Sequence, residues 1–215
     1  MTTFYLIRHG QTEWNREKRI QGQIDVQLSD RGRQQALLAG EALQGEGITY
    51  LYASDLSRAL ETANIISRII GVPVFGTYPA LREIDFGHWS SMTFDEIAAN
   101  DPEALQRWRQ DRVNTVVPGG ESFKIMTDRV LRCMQELGNR HPNAKVAVVT
   151  HGGPIVYTLG TLLGFGEKEL LKLSIGNCSI STIAYNAAQG QWRVIQINET
   201  GHLWQKGCAV EGVSY

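Results

Sequence analysis

Short apolar runs alternate along this chain with longer stretches in which apolar residues recur every three or four positions. Phe4 to Ile7 (FYLI) and Lys145 to Thr150 (KVAVVT) are short and bounded by polar residues, the pattern of strands buried on both faces. TYLYAS, residues 49 to 54, reads as a third strand, and residues 72 to 76 as a fourth. Helical stripes lie between them. Ala36, Ala39, Gly40 and Leu43 behind a Ser29 N-cap predict a helix from Asp30 to about Gln44. Ala59, Ala63, Ile66 and Ile70 predict another, stopped by Gly71 and Pro73. Thr93-Phe94-Asp95-Glu96 fits a capping box, and Pro102 fits the first turn of the next helix. Residues 112 to 120 read as loop, Met126, Val130, Cys133 and Leu137 as the inner stripe of a long helix, and Ile155, Leu159 and Leu162 as a further one. The tail holds two alternating strands, around residues 180 to 185 and 192 to 197.

This alternation predicts an α/β fold: a three-layer αβα sandwich with a mostly parallel sheet, helices on both faces and the tail strands as an antiparallel edge. The length of 215 residues suits one core, and no repeat or linker divides it, so a single domain over residues 1 to 215 is expected. With 21 basic and 22 acidic residues the net charge is −1, which excludes a general nucleic-acid or acidic-membrane surface. No apolar run approaches the ~20 residues of a membrane span, and the opening run is too short for a signal peptide. Cys133, Cys178 and Cys208 are scattered, with no metal-ligand spacing. A cytoplasmic protein without metal or cofactor is the expectation, and a homodimer through the edge strands stays open.

Two of the five histidines repeat one context: FYLIRHG ends in His9-Gly10 and VAVVTHGG in His151-Gly152. Ligands of open α/β sheets gather beyond the carboxyl ends of the strands, so parallel neighbours would bring both histidines to one site. A strand-end histidine usually serves structure alone; two in matching contexts point to function. Arg8 stands at the edge of a buried strand, where an unpaired guanidinium is costly, and Arg58 in the first turn of a helix. Two arginines and two histidines at one sheet edge suit a phosphoryl group, whose oxygens accept bidentate arginine bonds.

RHGQTEWN at residues 8 to 15 resembles the opening signature of the histidine phosphatase (phosphoglycerate mutase-like) superfamily. Gln21-Gly22, SDLSRALETA around Arg58, LREIDFGHW around Glu83, PGGES at 118 to 122 and VVTHGG around His151 follow in that family's order. The resemblance implies that His9 is the nucleophile and forms a phosphohistidine. Arg8, Arg58 and His151 would hold the phosphoryl oxygens, and Glu83 would be proton donor and then base. Gly10, Asn15, Gln21, Gly22 and Gly152 match positions lining the phosphate pocket. A nucleophilic imidazole must be neutral at its attacking nitrogen, so its other nitrogen should donate to a carbonyl. The rival reading of Glu83 is a surface salt bridge with Arg82. Two positions depart from the pattern: Gln11 replaces a common glutamate, and Ser91 stands where relatives often have glycine.

Mutases of this superfamily usually carry, after the Glu segment, a longer insert with a tyrosine, a lysine and an adjacent arginine pair. Residues 88 to 118 hold none of these. The resemblance is therefore closer to the compact phosphatases acting on phosphoserine, alpha-ribazole phosphate or a broad range of small phosphomonoesters, with inorganic phosphate as product. A cofactor-dependent phosphoglycerate mutase is the alternative. A non-catalytic phospho-ligand module is disfavoured because the motif residues are all retained, and a metallophosphatase because its Asp/His ligand clusters are absent. Phe86, His88, Trp89, Trp108 and Arg109 could line a lid, although aromatic residues in a helical region more often belong to the core.

Overall fold

The structure, a computed structural model, describes residues 1–204, 207–208 and 212–213. Its strands are β1 (Thr2–Arg8), β2 (Tyr50–Ala53), β3 (Val74–Thr77), β4 (Lys145–Thr150), β5 (Ile175–Gly176), β6 (Ile180–Asn186), β7 (Gln191–Glu199) and β8 (Gly212–Val213). Six of them make one sheet in the order β3-β2-β4-β1-β6-β7, and β5 pairs with β8 in a small second sheet. β1, β2, β3 and β4 run parallel, whereas β6 and β7 join antiparallel. The helices are α1 (Glu13–Arg16), α2 (Asp30–Leu43), α3 (Ser57–Ile70), α4 (Phe94–Asn100), α5 (Pro102–Gln110), α6 (Phe123–Arg140), α7 (Gly152–Leu163), α8 (Glu167–Leu170) and α9 (Gly201–Trp204).

The period of two along β1 divides the core. Tyr5 and Ile7 face Ala36, Ala39 and Leu43 of α2 and Ala59, Ala63 and Ile66 of α3. Phe4 and Leu6 face the other way, into the cluster of Met126 and Val130 from α6 and Ile155 and Leu159 from α7. The fold is thus the expected three-layer α/β arrangement. Ser29 caps α2 through Gly32 N–H, and Thr93 and Glu96 close the capping box of α4. Gly71 ends α3 in the left-handed conformation at φ 72°.

Three expectations change. β6 does not alternate: all but its last residue are buried, its faces meeting both core clusters through Ile180 and Ile183, and β7 beyond it forms the antiparallel edge opposite β3. Trp89 and Trp108 are core residues, packed edge to face at 5.8 Å, and form no lid. Ser91, at the position where glycine is common in the family, adopts φ 71° and donates its N–H to Ile20 O. The left-handed turn is kept without the residue that favours it.

Candidate active site

The register of β1 on β4 pairs Ile7 with Val149 and Arg8 with Thr150, and the next residue on each strand is a histidine. His9 N–H continues the ladder to Thr150 O at 2.9 Å, and the two imidazoles stand 5.1 Å apart. Both rings are buried, His9 at 3% exposure and His151 at 0%. His9 Nδ1 lies 2.7 Å from Gly10 O. A carbonyl only accepts, so Nδ1 carries the proton and Nε2 the lone pair. His151 Nε2 lies 2.9 Å from Ser54 Oγ, and its Nδ1 has no hydrogen-bond partner among the described residues.

The arginines reach the same place from different elements. Arg8 ends β1 and donates through one terminal nitrogen to Ile175 O at 2.7 Å. Arg58, fully buried near the start of α3, donates to Gly22 O and Ile24 O, each at 2.8 Å. Those two carbonyls fix its guanidinium plane. The first N–H of α3, that of Ser57, is met by Asp25 Oδ1 at 2.7 Å, so this helix supplies the site with a side chain.

Burial pushes the His9 pKa well below 6.5, helped by the charges of Arg58 and Arg8 and opposed by the bond to Gly10. Burial does the same to His151, with Arg58, His9, Arg129 and Arg8 adding to it. Both imidazoles are therefore neutral at pH 7. Their unfolded pKa is near 6.5, so below that pH the unfolded chain binds protons that the native state does not. Stability then falls as pH drops below 6.5, by up to about 1.4 kcal/mol per pH unit for each histidine. Denaturant titrations of wild type and His9→Asn between pH 6.5 and 5 should show the variant's pH slope shallower by about one proton. Equal slopes would refute the depressed His9 pKa.

Glu83 follows the turn after β3 and is 7% exposed. Its Oε1 accepts Ile84 N–H at 2.9 Å and its Oε2 accepts Gly153 N–H at 3.2 Å. The rival salt bridge with Arg82 is not made: Arg82 pairs with Asp55 at 2.5 Å. Gly153 gives this carboxylate its space, since a Cβ there would lie 2.3 Å from Oε1. The PGGES loop acts as a brace. Glu121 N–H donates to Asp85 O, and Glu121 ion-pairs with Arg129 at 2.5 Å. Arg129 in turn donates to the carbonyls of Ala80, Arg82 and Glu83.

A cavity of about 280 Å³ gathers Arg8, His9, Asn15, Gln21, Gly22, Arg58 and Glu83 along its wall. Gly10, His151 and Gly152 do not line it. Gly10 uses both backbone groups internally: its N–H donates to Thr62 Oγ1 at 3.0 Å and its carbonyl accepts the hydrogen bond from His9 Nδ1–H. Its lack of a side chain serves packing, since a Cβ would lie 2.4 Å from Gly32 O of α2. Gly152 is the first residue of α7, directly after His151. Gln11 bonds to Gln35 and Ser29 through its backbone, which ties the nucleophile loop to α2. Sequence reasoning passed over Ser54, Thr62, Gly153 and Asn177. Asn177 is buried and donates to His9 O at 3.0 Å and Asn15 Oδ1 at 3.3 Å. Ser54 and Thr62 lie within the SDLSRALETA motif and Gly153 within the GlyGly after His151, whereas Asn177 carries no local sign.

Among the described residues no three His, Cys, Asp or Glu side chains gather as a metal donor set, and no helix is long and apolar enough to cross a membrane. The positive charge of the pocket floor comes from guanidinium groups.

Comparison with known proteins places the chain. The probable phosphoglycerate mutase GpmB of Salmonella typhi is 35% identical over 210 residues, 94% of this chain and 95% of that protein. A mycobacterial glucosyl-3-phosphoglycerate phosphatase solved with VO3 is 32% identical at a TM-score of 0.81, covering 92% of this chain and 98% of that one. A phosphoserine phosphatase mutant from Entamoeba histolytica, solved with phosphoserine, is 29% identical at a TM-score of 0.82, covering 94% and 100%. The family model of the histidine phosphatase superfamily (branch 1) matches residues 4–200. This chain, with two strand-end histidines over a floor of arginines, belongs to that superfamily.

Proposed function

We propose that this enzyme is a phosphomonoesterase that hydrolyses a small phosphorylated metabolite through a phosphohistidine on His9, without a metal ion. One observation carries the reading. His9 Nδ1–H is held by Gly10 O, which leaves Nε2 as a neutral nucleophile in a buried pocket with Arg8 and Arg58. Nε2 attacks phosphorus, the ester P–O bond breaks, and Glu83 passes to the departing oxygen a proton that arrives with the monoanionic substrate. Glu83 then takes a proton from water as that water attacks phosphorus, the P–N bond breaks, and phosphate leaves with Nε2 restored. Arg8 and Arg58, fixed beforehand by backbone carbonyls, meet the charge that develops on the phosphoryl oxygens. In this reading His151 stands behind His9 rather than in the cavity wall, its ring 5.1 Å from that of His9 and its Nε2 hydrogen-bonded with Ser54 Oγ.

The name of the GpmB relative favours phosphoglycerate mutase as the second reading. Segment 88–118 supports hydrolysis instead. It folds into α4, α5 and a core of Trp89 and Trp108, and from it only Phe94 lines the pocket. The segment itself brings no cation to the pocket wall. A panel of phosphoserine, alpha-ribazole phosphate, sugar phosphates and 3-phosphoglycerate, run in excess chelator, tests the proposal. Phosphate release from at least one ester, with no isomerisation of 3-phosphoglycerate when 2,3-bisphosphoglycerate is present, is expected. Isomerisation faster than hydrolysis would establish the mutase, and activity that needs added magnesium or zinc would overturn the metal-free mechanism.

A further inference from the structure

The pocket wall beyond the phosphoryl floor has a composition of its own. Ile20 and Phe86 are buried, Trp14 and Phe94 are half-buried, and Lys18 at the rim is exposed. Burial thus grades from the guanidinium floor, through an apolar sleeve, to a cation in water. Two basic residues reach this wall, and they differ. Arg19 is committed: it pairs with Glu96 at 2.9 Å, approaches Glu17 at 3.8 Å and donates to Ser91 O. Lys18 makes no ion pair among the described residues. Its backbone adopts φ 55°, a left-handed conformation that lysine takes only at a cost, and its N–H closes the α1 turn onto Asn15 O at 3.2 Å. Asn15 is itself part of the pocket wall, so the strained turn ties the lysine rim directly to the site.

We infer that this pocket selects phosphomonoesters whose leaving group has an apolar, ring-like body and a carboxylate at its far end, and that Lys18 holds that carboxylate. The inference rests on the reading of His9 as phosphoryl acceptor, because in-line attack sends the leaving group away from His9 and towards the rim. An apolar sleeve stabilises an apolar body by removing it from water, and aromatic walls favour a flat one. A carboxylate that emerges beside an exposed ammonium keeps most of its hydration and still gains Coulomb attraction. The cavity, at about 280 Å³, lies at the small end of ligand sites, which limits the body to a compact group.

The test compares two non-hydrolysable probes, benzylphosphonate and 4-carboxybenzylphosphonate, by calorimetry on the full chain. Wild type should bind the carboxylated probe about fivefold more tightly, Lys18→Ala should lose that preference, and Lys18→Glu should reverse it. The preference should shrink as salt is raised. Equal affinities in wild type, or a preference that Lys18→Glu leaves unchanged, would overturn the assignment. Lys18 is exposed, so these variants retain the fold, and Lys18→Glu should bind the uncharged-ring probe no more than a few-fold more weakly. Phosphohistidine formation from the matching phosphate esters is scored separately. A Lys18-dependent preference without phosphohistidine strikes the hydrolytic reading and leaves the carboxylate subsite standing.

Discussion

His9→Ala should abolish turnover of every phosphomonoester, aryl or alkyl, while the protein still folds. Among the described residues lining the pocket, the imidazole is the only group with a neutral nitrogen lone pair poised by a hydrogen bond from its other nitrogen, so none of them should take its place as phosphoryl acceptor. The loss should exceed the ~10²–10³-fold typical for removal of one charge-stabilising donor, because the covalent route itself disappears. Folding should survive, since the anchors of the loop lie in the backbone: Gly10 N–H to Thr62, Gln11 N–H to Gln35, and His9 O to Asn177. Circular dichroism and thermal melts near pH 7.5 check the fold, and a p-nitrophenyl phosphate assay checks the activity. An unfolded variant would show that His9 serves the core, and a folded variant with a tenth of wild-type activity would remove it from the nucleophile's role.

Glu83→Gln divides substrates by leaving group. An acid that protonates the departing oxygen matters for a poor leaving group and hardly for a good one. The phosphorylation step should therefore lose ~10²–10⁴-fold on phosphoserine or another alkyl phosphate. On p-nitrophenyl phosphate the same step, read from burst kinetics so that slow dephosphorylation is not confused with it, should lose far less. The amide is of the same size, but its one oxygen keeps only one of the two bonds that Glu83 accepts, from Ile84 N–H or from Gly153 N–H, so a thermal melt of the variant accompanies the kinetics. Equal losses on both substrates would reduce Glu83 to a shaping residue and place the proton elsewhere.

What the sequence disclosed about this site follows from how local each determinant is. His9 and His151 were legible because each ends an apolar run, and parallel register alone carries the one to the other. Arg58 was legible from its motif; what orients it, the carbonyls of Gly22 and Ile24, comes from a loop more than thirty residues earlier. Ser54, Thr62 and Asn177 meet the histidine loop only after the sheet has formed, and each carries a residue type that is common in ordinary loops. Gly10 was expected at the phosphate, yet the reason for a glycine there is Gly32 of α2, a helix–loop approach that no window around residue 10 contains. The tail strands form the expected antiparallel edge, yet β6 is buried almost throughout, because its two faces meet both core clusters, Ile180 one and Ile183 the other, and no window around residue 180 contains either. Trp89 and Trp108 face each other across separate segments, and only their burial separates core from lid.

The covalent step is open to direct observation. Wild-type enzyme mixed with ³²P-labelled substrate and quenched within milliseconds should carry label that is stable in base and lost in acid, and peptide mapping should place it on His9. The same quench of Glu83→Gln should accumulate more of it if Glu83 also activates the water. Label on a serine, an aspartate or His151, or no label at any time point during turnover, would contradict the mechanism proposed for this enzyme.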